Sequence, residues 1–372
     1  MRDKLFKKIN GRGDFVLLIF VVLLAIIGTI FIYSASNYSA LATYGDAFYF
    51  VKKQIIGISL GIIAMIVTCN IDYNKIKKIN IFVAIVCFVS LILVFVPGVG
   101  VEMYGAKRWI GLKAFTIQPS EIAKFSLILF TATYVSKNPQ KIKTFVGILP
   151  VLIFGGAICL LIILEPNMSI TVCVALLMLT ILISAGMRML HTFLLIVPAF
   201  LLGVLLIIIE PYRLSRLGAF LNPWSNPKGE GYQLLQSLYA LGSGGWFGVG
   251  LFNSRQKYAF LPFAESDFIL SVIGEEIGFI GLIFFFLLLF MIIYRGLKIA
   301  SRAKNIFGFI MAIGITLIFG IQTIVNALVV TGSIPPTGLP LPLVSSGNTS
   351  IIIFMAEMGI LYNISKQGRL TF

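Results

Sequence analysis

Apolar residues gather in ten long stretches, at 15–33, 50–71, 81–97, 119–135, 145–164, 168–185, 192–210, 267–294, 306–330 and 347–363, with polar turns between them. Runs of about 17–25 mainly apolar residues match the length of a helix that crosses a bilayer. The pattern predicts an all-α polytopic membrane protein of about ten transmembrane helices. The longest connection, 211–266, falls between helices 7 and 8. No segment is long enough for a separate soluble domain, so residues 1–372 are expected to form a single membrane domain that includes this loop. The first stretch follows a basic start, as a signal peptide would. It is longer than a typical signal core, and Ser34-Ala35-Ser36 is a weak cleavage site, so it is read as a retained helix.

Composition agrees: of 372 residues 59% are hydrophobic and 12% charged, with a net charge of +15. Alternating the loops between sides sorts that charge. One side collects Arg2, Lys4, Lys7, Lys8, Arg12, Lys75, Lys77, Lys78, Lys137, Lys141, Lys143, Arg188, Arg295, Lys298, Arg302, Lys304, Lys366 and Arg369, which are 18 of the 29 basic residues, against Asp3, Asp14 and Asp72. The positive-inside rule makes that side cytoplasmic, with both termini, and puts the 211–266 loop outside. The charge therefore reflects orientation and anionic membrane lipids rather than nucleic acid. Cys69, Cys87, Cys159 and Cys173 lie within apolar runs and read as small helix residues, not as a disulfide or metal framework. His191, in a short cytoplasmic loop, reads as a surface residue.

The outer loops hold the candidate chemistry. Lys107 and Arg108 lie in the loop before the fourth stretch, which opens Gln118-Pro119-Ser120-Glu121 with Lys124 on the same helical face. Glu121 and Lys124 are either a capping carboxylate with a snorkelling lysine or a functional pair. The 211–266 loop holds Arg213, Arg216, Gln236, Ser237 and Lys257, and its run Gly242-Ser243-Gly244-Gly245 is either a flexible turn or a backbone cradle for phosphate. Asp267 opens the eighth stretch as an N-cap or a catalytic carboxylate. Glu275, Glu276 and Glu357 are ionisable at membrane depth, which marks functional candidates. Pro335, Pro336, Pro340 and Pro342 exclude a regular helix and predict an extended or re-entrant segment.

Taken together these stretches resemble the shape, elongation, division and sporulation (SEDS) family of bacteria, which includes RodA, FtsW and SpoVE, and the FtsW/SpoVE branch most of all. The carrying residues are Gly105-Ala106-Lys107-Arg108-Trp109-Ile110, Gln118 to Glu121 with Lys124, Glu165-Pro166, Gly231-Tyr232-Gln233, Gln236-Ser237-Leu238, Ser243-Gly244-Gly245, Gln256-Lys257, Asp267-Phe268, Gly274 to Phe279 and Pro335 to Pro342, in the family's order over nearly the whole chain. The sequence departs from the family at Asn167, at Phe263-Ala264-Glu265-Ser266, at Ser345-Ser346-Gly347-Asn348 and at Glu357.

The resemblance implies a peptidoglycan glycosyltransferase that polymerises lipid II at the outer face of the cytoplasmic membrane, for division, shape or sporulation, alongside a class B penicillin-binding protein. It carries the family's essential aspartate to Asp267 and its paired Glu and Lys to Glu121 and Lys124. A sugar hydroxyl is a poor nucleophile, so Asp267 is expected to act as general base. Fixed cations or a divalent metal, Mg or Mn, would stabilise the leaving pyrophosphate. Lys107, Arg108, Lys124, Arg213, Arg216 and Lys257 are the candidate phosphate contacts, and Gln236, Ser237 and Glu276 further substrate-site residues. A lipid II flippase and a silent scaffold for a transpeptidase are the alternatives. A flippase predicts a polar path reaching the cytoplasmic side.

Overall fold

The computed structural model of the chain describes residues 13–103, 106–112, 115–209, 211–258 and 260–368. Arg2, Asp3, Lys4, Lys7, Lys8, Arg12, Lys113, Arg369 and the side chain of Arg213 lie outside the described residues.

All ten predicted stretches are helical. They correspond to α1 (Phe15–Tyr44), α2 (Tyr49–Asn70), α4 (Asn80–Leu93), α5 (Pro119–Lys137), α6 (Phe145–Leu164), α7 (Met168–Ser184), α8 (Met189–Ile209), α11 (Ile269–Ser301), α12 (Ile306–Val330) and α13 (Asn348–Gln367). A short α3 (Tyr73–Ile76) and a 3-10 turn lead into α4, and α9 (Pro211–Leu221) and α10 (Tyr232–Gly244) fall in the long loop. Helices are the default here because a backbone in lipid must satisfy its own polar groups. Local signals set several of the starts. Asp14, Thr144, Asn167 and Asn305 accept first-turn amides of α1, α6, α7 and α12, and Pro119 occupies the first turn of α5. Among the described residues, seven helical stretches are long and apolar enough to cross a membrane: α1, α2, α3–α4 together, α6, α8, α11 and α12. Of the other three, α7 is shorter, and α5 and α13 carry charged and polar residues.

Four expectations change. The fold is mainly helical rather than all-α, because the first outer loop forms an antiparallel sheet of β1 (Gly100–Met103), β2 (Ala106–Leu112) and β3 (Phe115–Ile117), in that order. Gly100 pairs with Ile110, Glu102 with Lys107 and Ile110 with Ile117. The 211–266 segment is partly helical. Its glycine run is no loose turn, since residues 242–244 end α10 and only Gly245 turns left-handed, at φ 52°. His191 is buried rather than exposed, edge-on to Phe145.

Of the seven stretches long and apolar enough to cross a membrane, α12 is the most buried, packed by α5, α7, α11 and α13. α2 and α13 lie closely together, with Gly61 against Met355, Gly359 against Thr68, and Thr68 Oγ1 donating to Ala356 O at 2.9 Å. Small residues and interhelical hydrogen bonds of this kind hold helices together where lipid gives no hydrophobic drive. Opposite the sheet, Arg295 pairs with Asp14 at 3.2 Å, and Asn363 bridges Cys69 O and Tyr73 N.

Candidate active site

Asp267 lies on the turn that leads into α11, where residues 263–268 fold back through Ser266 N to Phe263 O at 3.1 Å. The helix starts at Ile269 and its N-cap is Phe268, so Asp267 does not cap it. The extended proline segment crosses over this turn. Ser345 Oγ donates to Ser266 O at 2.6 Å, and Ser346 N to Glu265 O at 2.9 Å. From α12, Asn326 Nδ2 donates to both Asp267 O at 2.8 Å and Leu339 O at 2.9 Å. A Cβ at Gly338, which holds φ 68°, would sit 3.3 Å from the Asp267 carboxylate. The prolines therefore keep a segment free of helix, and that segment forms one wall around Asp267. Phe263 and Leu343 hold left-handed backbone on the two facing segments, at φ 57° and 63°. Bulky residues there cost on the order of 1–3 kcal/mol each, a load that clusters at functional sites.

The electrostatics bear on the same carboxylate. Burial pushes Asp267 up to about 6, with Glu265 adding to the shift and Arg108 and Arg216 opposing it. Arg108, half-buried on β2, is held by the carbonyls of Glu165 and Pro166. Glu165 is itself buried with both carboxylate oxygens unpartnered, and burial pushes it up to about 8 against the pull of Arg108. Arg216 of α9 lines an open cleft of about 400 Å³ with Lys228, Tyr232, Gln233, Pro262 and Pro336.

The other candidates sit elsewhere. Lys107 is exposed on β2. Glu121 and Lys124 form a 2.7 Å pair inside the bundle, with Lys124 Nζ 5.7 Å from the centre of the Phe354 ring and Glu357 of α13 in the same field. That lysine does not snorkel. Ser237 is fully buried, bonded to Ser271 Oγ at 2.8 Å and Val330 O at 2.7 Å, while Gln236 is half-buried. Lys257 is buried and turned back onto Phe252 O. Glu276 accepts from Ser34 Oγ and Ser254 N, and neighbouring Glu275 accepts from Ser254 Oγ and Arg255 N, so the two carboxylates fasten the 253–256 turn. Asp267 is thus grouped with Arg108, Arg216 and Glu265, apart from the buried pair and from the 253–257 turn. Sequence reasoning passed over Asn326; an amide within a mainly apolar helix was the available signal.

A multi-helix membrane bundle with a half-buried carboxylate in the field of two guanidinium groups defines an enzyme-like site. The sequence profile of the cell cycle protein family FtsW/RodA/SpoVE matches residues 15–370, and the chain belongs to that family, as a multi-pass protein of the cytoplasmic membrane. It is 38% identical over 357 residues to stage V sporulation protein E of Bacillus subtilis, covering 96% of this chain and 98% of that one. It is 40% identical over 353 residues to the probable peptidoglycan glycosyltransferase FtsW of Trichlorobacter lovleyi, covering 95% and 93%. Its fold is similar to the rod shape determining protein RodA of Thermus thermophilus, with a TM-score of 0.71 at 22% identity over 96% of this chain and 98% of that one. It is also similar to a chain of a peptidoglycan synthase complex that coordinates polymerization and crosslinking, with a TM-score of 0.78 at 24% identity over 96% and 99%.

Proposed function

We propose that this chain is a peptidoglycan glycosyltransferase that polymerises lipid II at the outer face of the cytoplasmic membrane. The observation that carries the reading is Asp267, a carboxylate raised to about 6 in the field of Arg108 and Arg216. At neutral pH it is largely ionised and basic enough to take a proton. A sugar hydroxyl oxygen attacks the anomeric carbon of the second substrate, Asp267 accepts the hydroxyl proton, and the bond from that carbon to the pyrophosphate breaks. Negative charge grows on the leaving pyrophosphate, and guanidinium groups suit it through paired hydrogen bonds. Arg108 and Arg216 fill that role.

The orientation belongs to this reading: ten spans, both termini cytoplasmic and 211–266 outside, supported by the one-sided basic charge. Among the described residues no three His, Cys, Asp or Glu side chains converge on one point. A divalent cation on this reading enters with the substrate's pyrophosphate. The partner is a class B penicillin-binding protein, in line with the synthase complex whose chain shares the fold. Purified protein incubated with lipid II, with and without that partner, tests the proposal. Glycan strands that depend on Asp267 support it. Lipid II transport without polymer would replace it with a flippase.

A further inference from the structure

Trp246 and Phe247 follow α10 and are among the most exposed apolar side chains of the molecule, at 67% and 82%. They are not on a loose loop. The backbone of α11 breaks at Gly278, where φ is 66° and ψ is −173°. The break releases helix groups that would otherwise bond each other, and residues 245–250 take them up. Val249 N donates to Glu275 O at 2.9 Å and Gly250 N to Glu276 O at 3.1 Å. In return Phe279 N donates to Gly245 O at 2.9 Å and Ile280 N to Trp246 O at 3.1 Å. Gly278 and Gly248, both left-handed, touch backbone to backbone, and a Cβ on either would collide with the other segment. Non-helical backbone is tolerated at membrane depth only when its polar groups are paired in this manner.

The depth follows from α11. Before the break, residues 269–276 are all buried; after it, an outward-facing stripe begins with Phe279, Ile283, Phe284, Leu287, Phe290 and Tyr294. Trp246 packs edge-on against Phe279 at 5.4 Å and so extends that stripe. From Phe279 to Arg295, which pairs with Asp14 at the opposite end, is about 24 Å at about 1.5 Å per residue. A hydrocarbon core is about 30 Å thick, so a level 24 Å from its far edge lies within it. Towards the rim sit the ring pairs Tyr33–Phe252 and Tyr38–Tyr258, of the kind that gathers at a membrane interface.

We propose that Trp246 and Phe247 form a rigid wedge seated among the acyl chains of the outer leaflet. The choice of leaflet rests on the orientation proposed above; insertion itself does not. The turn behind the wedge is fastened by Glu275 and Glu276, so the wedge ties bilayer position to the segment that carries Lys257. In one-copy nanodiscs, a Trp109→Phe/Trp224→Phe chain leaves Trp246 as its single indole. Phosphatidylcholine brominated along its acyl chains then quenches that emission, more strongly for shallow bromines than for deep ones. Emission unaffected by brominated lipid overturns the proposal, whether red-shifted, as in water, or blue-shifted, as under protein cover. If the doubly substituted chain does not fold, a nitroxide on Phe247→Cys gives the same answer. Its relaxation should favour oxygen over a water-soluble nickel chelate, and the reverse order overturns the wedge. Neither readout involves glycan synthesis, so failure here leaves the glycosyltransferase reading standing, and loss of that reading leaves the wedge.

Discussion

Lys124 Nζ and Glu121 Oε1 lie 2.7 Å apart on successive turns of α5, each side chain only 2% exposed. A buried pair of this kind is weak as a source of stability but costly to break, because one lone charge is left behind; removing a single partner costs about 3–5 kcal/mol. Lys124→Met should therefore lower the unfolding temperature in detergent sharply, since Glu121 and Glu357 remain without their cation. Adding Glu121→Gln to Lys124→Met should recover part of that loss. Equal stability of wild type and Lys124→Met would show that the pair is hydrated.

Asp267→Asn keeps the shape and removes the base. Because Phe268 rather than Asp267 is the N-cap of α11, and because burial disfavours the ionised carboxylate, the variant should unfold at or above the wild-type temperature. Glycan synthesis from lipid II should fall about 100- to 10,000-fold, the usual contribution of a general base. A polymerisation rate near wild type would remove Asp267 from the mechanism and turn attention to Glu265.

The pH profile should carry the mark of the same group. Burial raises Asp267 to about 6, so the active ionised form dominates above that value and is lost as pH falls through it. The acid limb of kcat/KM should bend near pH 6. Arg108→Gln removes an opposing positive charge and should shift the bend to higher pH. A limb that stays in the ordinary carboxylate range, near 4, would contradict the desolvated site.

Glu165, pushed by burial to about 8, holds its proton at pH 7. Glu165→Gln replaces one neutral group with another of similar shape, and activity at pH 7 should stay close to wild type. Glu165→Ala empties a buried position beside the carbonyls that hold Arg108 and should raise KM. A large loss in the Gln variant would mean that the carboxylate works in its charged form.

Gly278→Ala should destabilise the chain and loosen residues 245–257. The site requires φ 66°, and a Cβ there would strike Gly248 and Phe247. Strain of about 1–3 kcal/mol is expected from the backbone alone. Hydrogen exchange at the amides of Val249 and Gly250, which bond to α11, should accelerate.

Apolar run length located all ten long helices, since a membrane-embedded backbone has helix as its default, but ended α1 eleven residues and α11 seven residues early. Charge sorting supplied an orientation, and motif order supplied the family. The β1–β3 sheet was not legible, because its short strands lie in a glycine-containing polar loop that shows no sustained alternation. Nor was the division of labour among the charged residues. Sequence spacing put Glu121 and Lys124 on one face, but only packing by α13 showed both fully enclosed. Asp267, Arg108 and Arg216 come from α11's entry turn, β2 and α9, far apart in the chain, and no local pattern encodes their meeting. Glu276, a candidate substrate contact, places a charge at membrane depth, which is costly without a partner. Tertiary structure shows a partner for that charge in the 253–256 turn, brought there by the break at Gly278. Sequence alone determined that the chain is a helical membrane protein, since burial in lipid depends on local apolarity; the site was left to tertiary structure, since it depends on which distant segments pack together.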